Sequence, residues 1–266
     1  YLASAIGGTP PPPPSTIATD TWSRTVANGW GTATTGGAWT VSGTNTAYAA
    51  DGSSGSMTMT SISAKSAVLG GPSALNVDET FSVASDKVVV GSGQYAYAVL
   101  RHQASGAEYW GKIHFSATGG VYLAASAFSG SAETSLGAEV ASGLVRVPGT
   151  AVNVRFQAIG TSPTTIRGRA WAVGTTEPTS WTFTATDSTA ALQAAGSIGL
   201  RATLSSTSTN LPITFRFDNL TVLDLGTGAT PSVARGPALP VADRPSSRLT
   251  MRTATANSGR LGQIAR

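Results

Sequence analysis

The chain has 266 residues, 41% hydrophobic and only 11% charged, against about a quarter charged in an ordinary globular protein. That composition supports one sizeable domain with tails and speaks for a β-rich extracellular or virion protein rather than a cytosolic helical one. The absence of cysteine excludes disulfides, thiolate metal sites and cysteine nucleophiles. The net charge of +4 is uneven. Residues 1–229 hold 11 Lys plus Arg against 12 Asp plus Glu, whereas residues 230–266 hold six Arg and the single acid Asp243. The body therefore gives no electrostatic case for nucleic acid, and none is expected as a partner.

Residues 1–19 read as an N-terminal segment and linker, because Pro10 to Pro14 favour extended polyproline II. The chain starts at Tyr1 without a basic and apolar leader pattern, so the expectation is a piece of a longer polypeptide. No apolar run approaches the roughly 18 residues of a membrane span. The stretch 20–42 holds Trp22, Trp30 and Trp39, three of the six tryptophans, separated by Gly29, Gly31, Gly36 and Gly37. Large rings among turn-forming glycines mark the opening of a β-domain.

From there to about residue 225, short runs alternate with period two between Gly, Ser, Asn or Pro breaks. The run 57–62 alternates cleanly. The run 77–83 sets Phe81 and Val83 on one face and acids on the other. Tyr95, Tyr97, Val99 and Arg101 share a face. The runs 108–115, 121–128, 152–159, 166–173, 181–183, 198–204 and 213–225 complete about a dozen strands. One polar face per strand fits antiparallel pairing. The expected fold is all-β, a two-sheet antiparallel jelly-roll sandwich over residues 20–226. Only 189–195 reads as a helical turn, stopped by Gly196. Residues 227–266, rich in Arg and Pro, read as an extended arm.

Several of these segments resemble the concanavalin A-like, laminin G-like jelly-roll family. They are Asp20-Thr21-Trp22-Ser23-Arg24, Gly29-Trp30-Gly31, Gly37-Ala38-Trp39-Thr40-Val41, the stretch from Trp171 through Glu177-Pro178 to Trp181, Gly199-Leu200-Arg201 and Phe217-Asp218-Asn219-Leu220. The resemblance covers about residues 20–225. Such domains recur in minor tail proteins of actinobacterial phages and in secreted bacterial proteins acting on polysaccharides. It implies the fold and a tendency to bind glycans, without implying an enzyme. The expectation is a structural and adhesive module of a phage virion. It would contact other tail proteins, with cell-surface polysaccharide as a further partner, and it has scope to form homo-oligomers. The alternative is a secreted carbohydrate-binding module of a polysaccharide-active enzyme. Either places the protein on a virion or outside the cell.

A glycosidase needs two carboxylates facing one groove, and no run carries them on alternate residues. Asp78 and Glu79 are adjacent, so they point to opposite faces. His102 and His114 sit in no recognisable triad setting. No cofactor is required. Among relatives a structural calcium recurs, with Asp20 and Asp218 as its candidate ligands here. The competing reading has these carboxylates capping turns or pairing with Arg24 or Arg216, and the lack of a full ligand set favours it. Sugar sites use rings stacked on pyranose faces, which makes Tyr95, Tyr97, Tyr109, Trp110 and Tyr122 the glycan-binding candidates. Tyr109 and Trp110 must split between the two faces, and the outward one is the better candidate. The competing reading puts tyrosines at sheet edges and Trp22, Trp39, Trp171 and Trp181 in the core, with Trp22 and Trp39 closed over by Phe215, Phe217 and Leu220. The pattern does not fix the burial of Trp30. In the arm, Arg235, Arg244, Arg248, Arg252 and Arg260 are candidates for gripping an acidic partner or a neighbouring subunit.

Overall fold

The computed structural model describes residues 13–227. Residues 1–12 lie outside them, as does the arm with Arg235, Arg244, Arg248, Arg252 and Arg260. The strands are β1 (Ser15–Asp20), β2 (Thr25–Val26), β3 (Trp39–Val41), β4 (Tyr48–Asp51), β5 (Gly55–Met59), β6 (Lys65–Ala74), β7 (Val77–Ser85), β8 (Gln94–His102) and β9 (Ala107–Phe115). They continue with β10 (Gly120–Ser129), β11 (Glu133–Ser135), β12 (Val140–Val145), β13 (Val152–Ile159), β14 (Thr164–Ala172), β15 (Phe183–Asp187), β16 (Gly196–Leu204) and β17 (Ile213–Asp224). Single 3-10 turns occur at Asn45–Ala47 and Ala190–Leu192. The second falls in the expected helical turn; the first was not foreseen.

The strands form two antiparallel sheets packed as a jelly-roll sandwich. The first runs β15-β14-β13-β7-β17-β5-β4-β2, with β1 added on β17; the second runs β11-β10-β9-β8-β16-β6-β3, with β12 added on β10. Alternation decides which residues fill the space between them. Phe81, Val83, Phe156, Phe215 and Phe217 enter from the first sheet, and Leu69, Leu100, Ile113, Phe115, Leu123 and Leu200 from the second, all at most 1% exposed.

The strand pattern departs from expectation where local signals mislead. Residues 15–19, read as linker, form β1 together with Asp20; its buried Ala18 and Asp20 alternate with more open neighbours along the last strand. The strand β6 is absent from the expected runs, and its Gly70, Gly71 and Pro72 interrupt the apolar alternation. It carries a register shift between Leu69 and Ala74 against β16, and a Cβ on Gly71 would lie 2.7 Å from the Gly36 carbonyl oxygen. The glycine there serves close backbone approach rather than a turn.

Trp30 takes the centre of an aromatic cluster. Its ring lies 5.2 Å from Trp22, 5.0 Å from Trp39, 6.0 Å from Tyr48 and 5.8 Å from Phe217. The flanking Gly29 and Gly31 adopt φ of +97° and +69°, a region open to glycine, and this turns the ring inward. Trp171 and Trp181, in contrast, are only half-buried. On β14, Ile166, Gly168 and Ala170 face inward, so Trp171 faces out with Arg167 and Arg169. The Trp181 ring sits 4.5 Å from the Arg167 guanidinium and 4.2 Å from that of Arg169, outside the core.

The acids of β7 do not share a face. Asp78 points outward to Arg155 and Gln157, while Glu79 enters the core between the lines of Phe156 and Val222. It is fully buried, and neither carboxyl oxygen has a hydrogen-bond partner. Burial, with the Asp78 charge adding to it, holds its carboxyl well above the usual carboxylate range. The unfolded chain releases this proton above about pH 4.5 and the folded chain keeps it. Stability therefore falls as pH rises from there toward the folded value. Replacing Glu79→Met should stabilise the protein at pH 7 by about 1–3 kcal/mol, the scale of an unsatisfied buried polar group, with the gain shrinking toward pH 4. Denaturant melts at both pH values check this, and a pH-independent difference would rule out the titration of the carboxyl as its source.

Candidate functional site

The outer face of the second sheet carries the concentration of rings and charges. Register places them in rows across its central strands. One row runs Thr203 (β16), Tyr95 (β8), His114 (β9) and Tyr122 (β10). The next runs Arg201, Tyr97, Lys112 and Ala124, and a third Gly199, Val99, Trp110 and Ser126. Phe128 stands opposite Glu108 in the fourth. Period-two alternation alone sends all these side chains away from the core.

Four of the five sequence-derived glycan candidates, Tyr95, Tyr97, Trp110 and Tyr122, share this face. Tyr109 does not. It points into the core with no exposure, its hydroxyl donates to Asp187 Oδ2 at 2.7 Å, and burial pushes its phenol up to about 12. Trp110 is the outward member of the Tyr109–Trp110 pair, yet it is only 4% exposed, as is Tyr97. Their rings lie 5.6 Å apart, and Phe128 stacks on Trp110 at 4.5 Å. These three rings, with Val99, form a small apolar cluster separate from the main core. Tyr95 and Tyr122 are half-open; Tyr95 stacks on His114 at 4.6 Å, and Tyr122 lies tilted 5.7 Å from it. The face is thus a firm aromatic floor with two more open tyrosines beside it.

The carboxylates here are engaged. Glu108 accepts from Trp110 Nε1 and lies 2.6 Å from His102 Nδ1. Glu133 accepts from Ser126 at 2.6 Å and lies 3.3 Å from Lys112 Nζ. Glu139 meets His114 Nδ1 at 2.7 Å. The Arg201 guanidinium lies 4.3 Å above the Trp110 ring and 5.8 Å from the Tyr97 ring. Beside it, a shallow groove of about 330 Å³ is lined by Ser42, Ser66, Val68, His102 and Ser197, among others. His102 and Ser197 are register partners, but no hydrogen bond joins them, so they do not make a nucleophile and base. Arg201, Lys112, Glu133 and the two histidines were missed as site residues. The signal available was the even spacing of Lys112 and His114 from Trp110 on β9; Arg201, Glu133 and His102 have no such offset from a ring on their own strands.

Asp20 does not fit as a calcium ligand. Its two oxygens accept from Arg24 Nη1 and Nη2 at 2.7 and 2.9 Å, from Trp39 Nε1 at 2.7 Å and from the Trp22 N–H at 3.0 Å. Such a donor set uses the lone pairs a hard cation would need. Asp218 lies in a separate groove on the outer face of the first sheet with Ser54, Ser82 and Asn153, and it accepts from Asn219 Nδ2. Arg216 pairs with Asp51 rather than Asp218. Among the described residues no group of three His, Asp or Glu could hold a metal ion, and no helix is long and apolar enough to cross a membrane.

No protein-family model matches the chain, and no curated protein does. Solved structures do match. The GH43 protein BlXynB of Bacillus licheniformis aligns over 78% of this chain and 39% of its own, at 10% identity and a TM-score of 0.50. The carbohydrate-binding module CBM66 of Bacillus subtilis aligns over 69% and 94%, at 17% identity and 0.47. The CBM2 module of the evolved Dit of Lactobacillus casei BL23 phage J-1 aligns over 82% and 99%, at 10% and 0.48. At these identities the likeness concerns the fold alone.

The hydrogen bond His102 donates to Glu108, outweighing burial, raises the imidazole above its ordinary 6.5. The pair therefore adds stability that is full below pH 6.5 and is lost as pH rises through the raised value. A proton NMR titration should place the His102 midpoint above 6.5, and Glu108→Gln should bring it down. An unchanged midpoint in the variant would show that Glu108 is not the cause.

Proposed function

We propose that this chain is a non-catalytic glycan-binding module, carried by a phage virion as a minor tail protein, that meets host-surface polysaccharide through the outer face of its second sheet. The observation that carries the reading is the row in which Tyr95 and Tyr122 flank His114 beside the floor of Tyr97, Trp110 and Phe128. A pyranose presents an apolar C–H face and a polar rim. Half-open rings set among Lys, His and Glu side chains complement both at once.

Binding is favoured over hydrolysis by what the carboxylates do. A glycosidase needs one carboxyl free to protonate the leaving oxygen and another free to attack or to activate water. Glu108, Glu133 and Glu139 are instead each held by a histidine, lysine, serine or tryptophan of the same face. The virion assignment draws on the arginine-rich stretch 230–266, whose charge suits an acidic neighbour in an assembly.

Pull-down on insoluble polysaccharides and on host cell walls tests the reading. The intact chain should bind at least one of them, and Tyr95→Ala with Tyr122→Ala should weaken that binding about tenfold or more, at roughly 0.5–1.5 kcal/mol per stacked ring. Retention of full affinity in the double variant would exclude this face. Antibody labelling of virions tests the carrier separately: absence from the particle would sink the tail assignment and leave the sugar reading intact.

A further inference from the structure

Eight arginines lie among the described residues. Seven of them donate hydrogen bonds to oxygen. Arg24, Arg155, Arg169 and Arg216 have carboxylate partners. Arg101 and Arg146 bind backbone carbonyls, and Arg167 binds Gln157. Arg201 is the exception. No hydrogen bond or ion pair engages it, and its Nε is buried without a partner. Arg201 is nonetheless well placed, half-buried on a central strand, with its guanidinium carbon 4.3 Å from the centre of the Trp110 ring and 5.8 Å from that of Tyr97.

The charges around it make the exception sharper. On this face Glu108 is matched by His102, Glu133 by Lys112 and Glu139 by His114. Each of these carboxylates has a lysine or imidazole nitrogen as partner, and the Arg201 guanidinium has no carboxylate. Its register partner on β6 is Ser66, which lines the groove of about 330 Å³ together with Ser42, His102 and Ser197. Hydroxyls and a histidine thus stand beside a cation with free donors.

A guanidinium carries five N–H donors in a planar fork that matches a carboxylate or a phosphate in two parallel bonds. Stacking on an aromatic face fixes the plane of that fork before any ligand arrives, so little freedom remains to be lost on binding. The buried Nε, left without an acceptor, carries a desolvation cost that an acceptor brought by a ligand would relieve.

We propose that the glycan taken by this face is anionic, and that Arg201 forks its acidic group while the hydroxyl-lined groove holds the adjoining sugar. This rests on the glycan-binding reading above and narrows it to a substrate class. Two sources supply the same chemistry: the carboxylate of a uronic acid residue and the phosphodiester of a teichoic acid-like polymer.

Isothermal titration of the full chain separates these cases. The probes are polygalacturonate, its fully methyl-esterified neutral form, a poly(glycerol phosphate) teichoic acid, and dextran. The expected result is preference for one of the two anionic polymers over the neutral ones by about tenfold or more, the scale of one charge-assisted bidentate contact, weakening with added salt. Whichever anion binds identifies the source. Arg201→Gln should collapse the preference toward one. Arg201→Lys, which keeps the charge and loses the fork, should retain only part of it, and that separates a forked contact from loss of fold. Equal binding of polygalacturonate and its methyl ester, or a preference that survives Arg201→Gln, overturns this inference and leaves the glycan reading standing. Binding of none of the four polymers, together with failure of the polysaccharide and cell-wall pull-down, overturns both.

Discussion

The sandwich depends at its opening on one carboxylate. Asp20 ends β1 with no exposure, and four N–H donors converge on it, from Arg24, from the Trp39 indole and from the Trp22 backbone. Trp39 begins β3 at the edge of the second sheet, whereas β1 pairs with β17 in the first. The contact therefore joins the two sheets where the chain enters. A buried carboxylate is tolerable only with such a donor set. In return it fixes Trp22, at φ +48°, and closes the aromatic cluster around Trp30. Arg24 completes the ring by donating from Nε to the Trp30 carbonyl at 2.6 Å.

Arg101 does comparable work elsewhere in the sandwich without any acid. Its guanidinium donates to the carbonyls of Leu75, Gly160 and Leu192 and to the Thr164 hydroxyl, at 2.7 to 2.9 Å. Those carbonyls belong to the β6–β7 turn, the β13–β14 turn and the short 3-10 turn, so one side chain ties three connections to β8. Burial lowers its pKa to about 10, still well above neutrality, so the tie stays charged. Asp20 and Arg101 divide the task of closing loops over a core that is otherwise aliphatic and aromatic.

Much of this was legible because alternation is a strong signal. The runs at β7 to β10, β13, β14, β16 and β17 could be read directly, and Trp22 and Trp39 could be read as core. What escaped was decided by contacts distant in sequence. Alternation put Arg101 on the face of Tyr95 and Tyr97, but its φ of +54° and the register shift between Ser197 and Gly199 turn it inward. Glu79 has the parity of Phe81 and Val83, so alternation itself places it inside, against the expectation that both acids of β7 face away from them. Trp181 read as core because it is large; its actual partners are Arg167 and Arg169, which alternation places outside. For the candidate site, the tyrosines were readable from spacing, whereas the value of Arg201 emerges only once the pairing of every neighbouring charge is known.

The two outer faces then differ in a way composition conceals. On the first sheet Arg155, Arg167 and Arg169 stand together, yet Asp78, Gln157 and Glu177 satisfy them and Trp181 lies over two of the guanidinium groups. That face is electrostatically closed, and its job is to pin the 173–182 connection to β14. On the second sheet the charges also pair, but one at a time along the strands, and the pairing leaves a stacked arginine with nothing to bind beside a hydroxyl-lined groove. Cation–π contact orients a guanidinium without using its donors, which lie in the guanidinium plane and point away from the ring beneath it. An arginine held by carboxylates is spent, whereas an arginine held by tryptophan is positioned and still able to bind. That difference, rather than the number of aromatic rings, sets the two outer faces apart.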